Sequence, residues 1–324
     1  MKIRFWGVQG SIPNPMSGTQ LQDKIKEVLR RAQGRALASE EEVQHFFKEL
    51  PFPLTHTTGG NTTCFELVSA GGNRVLIDMG TGARRLGLEL MEGPAGEGRA
   101  DLHVLMTHCH WDHVMGFPFF MPAYTTGNRI TFYGGHEYLE EAFQRQAHPQ
   151  SFPVPLEKMG AHLRFRQIKE GEAFVLNDLE IACKKLDHPG FSYAYRLSEG
   201  GKSIVIATDA EYKNLDAESL RPYIDFYRDA RVLVFDAQYT LKDVFQKTDW
   251  GHSSSFIGVD ICLLANVATL VLTHHDPAYS DDKMTDILER TEAFKKETLH
   301  QNWPDKQPRD LQVLMAYEGM ELTI

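Results

Sequence analysis

Cysteine is scarce in this chain of 324 residues. The four present, Cys64, Cys109, Cys183 and Cys262, are scattered and form no Cys-x-x-Cys pair. A disulfide framework and a thiolate zinc module are thereby excluded, and free thiols in a reducing cytoplasm are expected. No apolar run approaches the roughly 20 residues that a membrane-spanning helix needs. Positive charge is also in deficit: 34 Lys and Arg face 44 Asp and Glu, a net charge of -10. Such a balance argues against a broad nucleic-acid-binding face. Low-complexity tracts and an obvious linker are missing as well, and Met1–Gly7 reads as a first strand instead of a signal peptide.

What is present is an ordinary globular composition, 42% apolar, in a strand-rich pattern. Apolar or alternating runs predict strands at 2–8, 64–69, 74–78, 102–106 and 130–134, then at 162–168, 173–176, 179–186, 191–197, 203–207, 232–235 and 270–272. Helices are expected at 136–147, 253–266 and 282–298, with Ser253 capping the second of these. A long insertion at about 18–50 separates the first two strands. Leu21, Ile25, Val28 and Leu29 recur there at helical spacing. Ser39 with Glu42 forms a capping box ahead of Val43, Phe46, Phe47 and Leu50. Two amphipathic helices are expected, serving as sheet padding, a lid or a homodimer contact. Each half runs from strands to a helix, so the expected architecture is one α/β domain over 1–324, two stacked sheets with helices outside.

The densest chemistry lies in Thr107-His108-Cys109-His110-Trp111-Asp112-His113. Its histidines and carboxylate directly follow a buried-strand pattern, at the strand end where open α/β sheets place their sites. Neutral imidazole and carboxylate suit zinc and neighbouring divalent metals. His108 and His110 can reach one metal from such a loop, while Asp112 and His113 turn toward a second. Cys109, between two ligands, is expected to point away as an apolar filler. One loop cannot close two coordination spheres, so other strand ends must contribute. Three do: His188 in Leu186-Asp187-His188-Pro189-Gly190, Asp209 after Ile204–Thr208, and His274 after Leu270–Thr273. A carboxylate ending a buried strand, such as Asp209, is costly unless paired or metal-bound.

Together these residues resemble the metallo-β-lactamase-fold hydrolases, in the phosphodiesterase branch that includes RNase Z, over most of the chain. The resemblance implies a four-layer αββα sandwich and two divalent metal ions, zinc foremost, with manganese or iron as alternatives. On that pattern His108, His110 and His188 hold one metal. Asp112, His113 and His274 hold the other, Asp209 bridges them, and Asp78 braces the loop. Related flavodiiron proteins carry Glu at position 110, so His110 fits the hydrolases. Gly251-His252-Ser253-Ser254 resembles the branch's catalytic His-Ser segment. Val232–Thr240 resembles the stretch whose Glu orients that histidine, here the shorter Asp236.

The implied activity is phosphodiester hydrolysis, with His252 protonating the leaving oxygen and Asp112 handling the nucleophile's proton. RNase Z relatives insert a tRNA-gripping arm between the motifs of His188 and Asp209; the spacing here leaves no room for one. A small phosphodiester such as a cyclic nucleotide is therefore the expected substrate, and tRNA is not. Phe117, Phe119 and Phe120 are expected to pack in the core, or else to wall a base pocket. Two alternatives stay open: a thioester or lactone hydrolase on the same fold, and a non-catalytic metal or nucleotide sensor.

Overall fold

In the computed structural model, which describes residues 1–302 and 310–324, the strands form two seven-stranded sheets. The first sheet contains β1 (Lys2–Gly7), β2 (Cys64–Val68), β3 (Arg74–Ile77), β4 (Asp101–Met106), β5 (Arg129–Gly134) and β6 (His162–Gln167). To the second belong β7 (Ala173–Leu176), β8 (Leu179–Leu186), β9 (Ser192–Glu199), β10 (Lys202–Ala207), β11 (Val232–Asp236), β12 (Thr269–Thr273) and β13 (Gln312–Met315). β14 (Glu321–Thr323) returns to the first sheet and pairs antiparallel with β1. Both sheets are mixed. Antiparallel hairpins occupy one side, and β3 to β6 and β10 to β13 run parallel.

Three buried clusters explain the layering. Phe5, Phe65, Ile77, Tyr195, Ile206 and Val271 fill the space between the sheets. The outer face of the first sheet, through Leu76, Val104 and Phe132, packs against α4 (Gly82–Leu90) and α6 (Leu139–Gln146). The outer face of the second, through Val205, Leu233, Phe235 and Leu272, packs against α7 (Ala217–Tyr227), α9 (Ser255–Ala265) and α10 (Asp281–Asn302). This is the αββα sandwich of the metallo-β-lactamase fold, and period-2 alternation gives way to continuous apolar runs where strands are covered on both faces. Burying a side chain the size of Phe132 stabilises by about 2–3 kcal/mol.

The insertion forms α1 (Gly18–Ala32) and α2 (Glu40–Glu49), followed by the short α3 (Phe52–Thr55). The Ser39 capping box is present, and Ser17 with Gln20 makes a second one. However, α1 buries no residue, and Leu21, Ile25 and Leu29 are exposed along it. In α2 only Phe46 is buried, so the pair does not simply pad a sheet. Phe117 and Phe120 are core, whereas Phe119 is half-exposed and meets Phe152 edge-on. The cap of α9 is Ser254 and not Ser253, and it makes no side-chain capping bond. Helices α4 and α7 and strands β13 and β14 lie outside the sequence expectations. The first helix begins Gly-Ala-Arg-Arg without a cap bond, and the second carries Pro222 internally. Among the described residues no helix is long and apolar enough to cross a membrane.

Candidate metal centre

The ends of β3, β4, β8, β10 and β12 converge at one rim of the sandwich. Asp78, Asp209 and His274, each just past a strand, adopt left-handed backbone at φ of 58°, 56° and 60°. Asp tolerates this region better than most residues, and His is also enriched there. Such conformations cost of order 1 kcal/mol each and persist where surrounding contacts fix them. The contacts are visible. Asp78 is fully buried and accepts from the Thr107 backbone N–H at 2.8 Å and the Thr107 hydroxyl at 2.7 Å. Its Oδ2 also lies 2.8 Å from His113 Nδ1. Asp78 therefore braces the 107–113 loop from beneath, as expected.

Two ligand sets adjoin. His108, His110 and His188 place donor atoms together, and so do Asp112, His113, Asp209 and His274. His188 Nε2 stands 3.1 Å from His110 Nδ1, while His188 Nδ1 is engaged by the Gly251 carbonyl at 2.8 Å. His113 Nε2 and His274 Nε2 are 3.3 Å apart. Their other nitrogens are taken by Asp78 and by Gln238 Oε1, the latter at 2.9 Å. Asp209 stands between the sets, 3.2 Å from His113 and 3.1 Å from His274, and 3.8 Å and 3.9 Å from His108 and His188. Asp112 lies 3.1 Å from His274 Nε2 and accepts from the Ser11 backbone N–H at 2.8 Å.

These residues fit a pair of cations. The outer nitrogens of His113, His188 and His274 bond to acceptors, which directs the inner nitrogens' lone pairs at each other. Buried His108 Nε2 and Asp209 Oδ2 have no hydrogen-bond partner, an expensive arrangement unless a cation sits between them. Charge balance points the same way. Burial disfavours ionisation of Asp112, yet His113 and His274 outweigh it and hold the carboxyl well below its usual range. Burial likewise opposes protonation of His274, but Asp209 and Asp112 lift it to about 9. The carboxylates thus demand positive charge, which metal ions would supply in place of protons.

Beside the two sets, His252 Nδ1 lies 2.8 Å from Asp236 Oδ2. Asp236 is fully buried and also accepts from the Ala210 and Gln238 backbone N–H groups, each at 3.0 Å. The shorter Asp236 reaches His252 directly from the end of β11. The His252 ring is 5.0 Å from that of His274 and 5.2 Å from that of His188. All nine sequence-predicted site residues therefore meet at this rim. Cys109 packs against the core under the loop, touches the cleft wall, and has its thiol pushed up to about 12 by burial.

Five contributors were given no role by the sequence. Ser11 and Gln238 bond each other at 3.1 Å and position Asp112 and His274. Glu211 holds the loop before His252 by accepting from the Asp249 and Gly251 backbone N–H groups. Gly10 and Gly251 permit close approach, since a Cβ would lie 2.5 Å from His274 Nδ1 in the first and 2.3 Å from His188 Nδ1 in the second. A Gly-Ser pair ending the first strand was the available signal for Gly10 and Ser11; single polar residues such as Glu211 carry none.

The cleft over the ligands, of about 410 Å³, is lined by Ser11, His110, Trp111, Asp112, Asp209 and His252 among others. It adjoins a second lobe of about 330 Å³ through shared Ser11 and His252.

Residues 73–275 match the β-lactamase superfamily domain. Ribonuclease Z of Bradyrhizobium diazoefficiens is 26% identical over 271 residues, 67% of this chain and 85% of the relative. Unliganded yeast PDE1 superposes with a TM-score of 0.64 at 13% identity, covering 100% of this chain and 99% of that one. Zinc-bound PqqB of Methylobacterium extorquens gives 0.62 at 14% identity, with both chains covered in full. The chain belongs to the metallo-β-lactamase superfamily, as a metal-dependent hydrolase with a His/Asp binuclear site distantly related to RNase Z.

Proposed function

We propose that this protein hydrolyses a small phosphodiester, a cyclic nucleotide or one of similar size, with zinc as the first metal to test. His108, His110 and His188 would hold one ion, Asp112, His113 and His274 the other, and Asp209 both. When bound, such a pair brings the pKa of water near neutrality and neutralises charge developing on phosphorus. The chain's own residues supply the rest. Ser11 and Gln238 fix Asp112 and His274. Asp112 accepts the proton of the attacking water. His252, held by Asp236, donates to the departing alkoxide.

The observation that carries the phosphodiester reading is this His252–Asp236 pair. An alkoxide is a poor leaving group, and a buried carboxylate that aims an imidazole at the departing oxygen answers that need. Substrate size rests on a second observation. The chain between His188 and Asp209 is taken up by the tight β9–β10 hairpin, which leaves no projecting arm for a folded RNA.

The test is His252→Ala. Metal content by elemental analysis should equal that of the wild type, while kcat on a diester with an unactivated alkoxide leaving group falls about 10²–10⁴-fold. A p-nitrophenyl diester, whose leaving group needs no proton, should lose much less. Equal losses on both, or unchanged kcat, would remove His252 from the role of acid.

A further inference from the structure

The second lobe shares Ser11, Gln238 and His252 with the chemistry above, but its other walls, Tyr239, Lys247 and Trp250 among them, have no part in it. Trp250 is 62% exposed on the loop that also carries His252. Lys247 lies 4.2 Å from the centre of the Tyr239 ring and 5.7 Å from that of Trp250. The Tyr239 ring in turn meets His252 edge-on at 5.3 Å. Glu211 clamps this loop by its backbone, so the indole is presented on a fixed segment. The lobe adjoins the ligand cleft at His252 and Ser11; with His252 as the donor to the departing oxygen, it lies on the leaving-group side of the site.

Its charge narrows the occupant. Lys247, the one cation lining it among the described residues, is already paired to Asp276 at 3.6 Å, and the other lining carboxylate, Asp249, is paired to Lys213 at 2.8 Å. A second phosphate, as in a continuing nucleic-acid strand, would find no unengaged cation among the described lining residues. A neutral, flat heterocycle needs none. A lobe of about 330 Å³ is also at the small end for a ligand pocket, sized for one nucleoside-like group.

We propose that Trp250 is a specificity-determining residue that stacks the base of a nucleoside phosphodiester in this lobe, on the leaving-oxygen side of His252. The assignment rests on the phosphodiesterase reading for its catalytic consequence. The stacking itself can be measured without turnover. Truncating an aromatic platform of this kind costs about 1–3 kcal/mol per base, roughly 5- to 150-fold.

The experiment uses the full-length, metal-loaded protein with Trp250→Ala and Trp250→Phe. Two diesters are compared: 3′,5′-cyclic AMP, and the methyl riboside 3′,5′-cyclic phosphate that has methoxyl in place of adenine. Titration calorimetry with AMP and with ribose 5-phosphate runs in parallel. Trp250→Ala should raise KM for cyclic AMP and weaken AMP at least fivefold, with kcat within about twofold. Trp250→Phe should recover most of both, and neither variant should alter the baseless ligands. Equal effects on ligands with and without adenine, or no effect on AMP, would overturn the assignment. If the wild type cleaves neither diester, the phosphodiesterase reading fails. AMP against ribose 5-phosphate then still decides the stacking: a Trp250-dependent preference for AMP upholds it, and its absence overturns it.

Discussion

At the scale of single residues, the site is a set of side chains that could not stay where they are without one another. Asp78 illustrates this: a fully buried carboxylate whose pKa burial raises, with His113 and Thr107 offsetting only part of the rise. Asp78 was legible only through the family resemblance, whereas Asp209 stood out by itself, because an acid ending a buried strand needs a partner. Ser11 and Gln238 were not legible, because their work depends on two sheets meeting and on no local pattern. Asp260 gives a separate test of burial. It sits half-buried on α9, and desolvation raises its carboxyl to about 6. A raised acid favours the protonated folded form. The penalty is therefore absent below the ordinary carboxylate pKa, grows from there up to about 6, and is complete above that. Asp260→Asn should stabilise by ~1 kcal/mol at pH 8, after allowance for partial exposure, and should be neutral at pH 3.5. Denaturant melts at the two pH values check it; an equal effect at both would count against desolvation as the cause.

Elements show the same division. Strands β7 and β8 coincide with their alternation patterns, and the parallel strands with apolar runs. Helices α4 and α7 escaped because their apolar faces are short and interrupted, by glycine in one and proline in the other. The 247–252 loop is the element on which both His252 and Trp250 ride, and its geometry turns on Gly251. That residue has φ of 84°, and a side chain there would strike His188 and Pro189. Gly251→Ala should cost on the order of 1–3 kcal/mol in stability. By displacing His188 it should also lower occupancy of the ion held by His108, His110 and His188. Metal titration with a chromogenic chelator measures this; full occupancy with wild-type affinity would mean that the loop yields without moving the ligand.

For the whole molecule, the ligands come from loops of both sheets, so metal binding and the closure of the sandwich rim are linked. The fold class, and the residues that gather at the rim, were readable because strand ends repeat one signature, an apolar run followed by His or Asp. The exposure of Leu21, Ile25 and Leu29 on α1 was not, because periodicity states that a helix has an apolar face and not what covers it. Stripping metal should lower Tm by several degrees, since a ligand bound only by the folded state stabilises it by mass action. Calorimetry before and after chelation, with metal restored, tests the linkage; an unchanged Tm would uncouple the site from the fold.

The most direct test of the central claim is metal stoichiometry and diester turnover on one sample. Protein purified without chelators and saturated with zinc should bind two ions per chain, as the two adjoining ligand sets require. The same sample should hydrolyse cyclic nucleotides in preference to thioesters and lactones. Fewer than two ions at saturation, or turnover confined to thioesters or lactones, would contradict it.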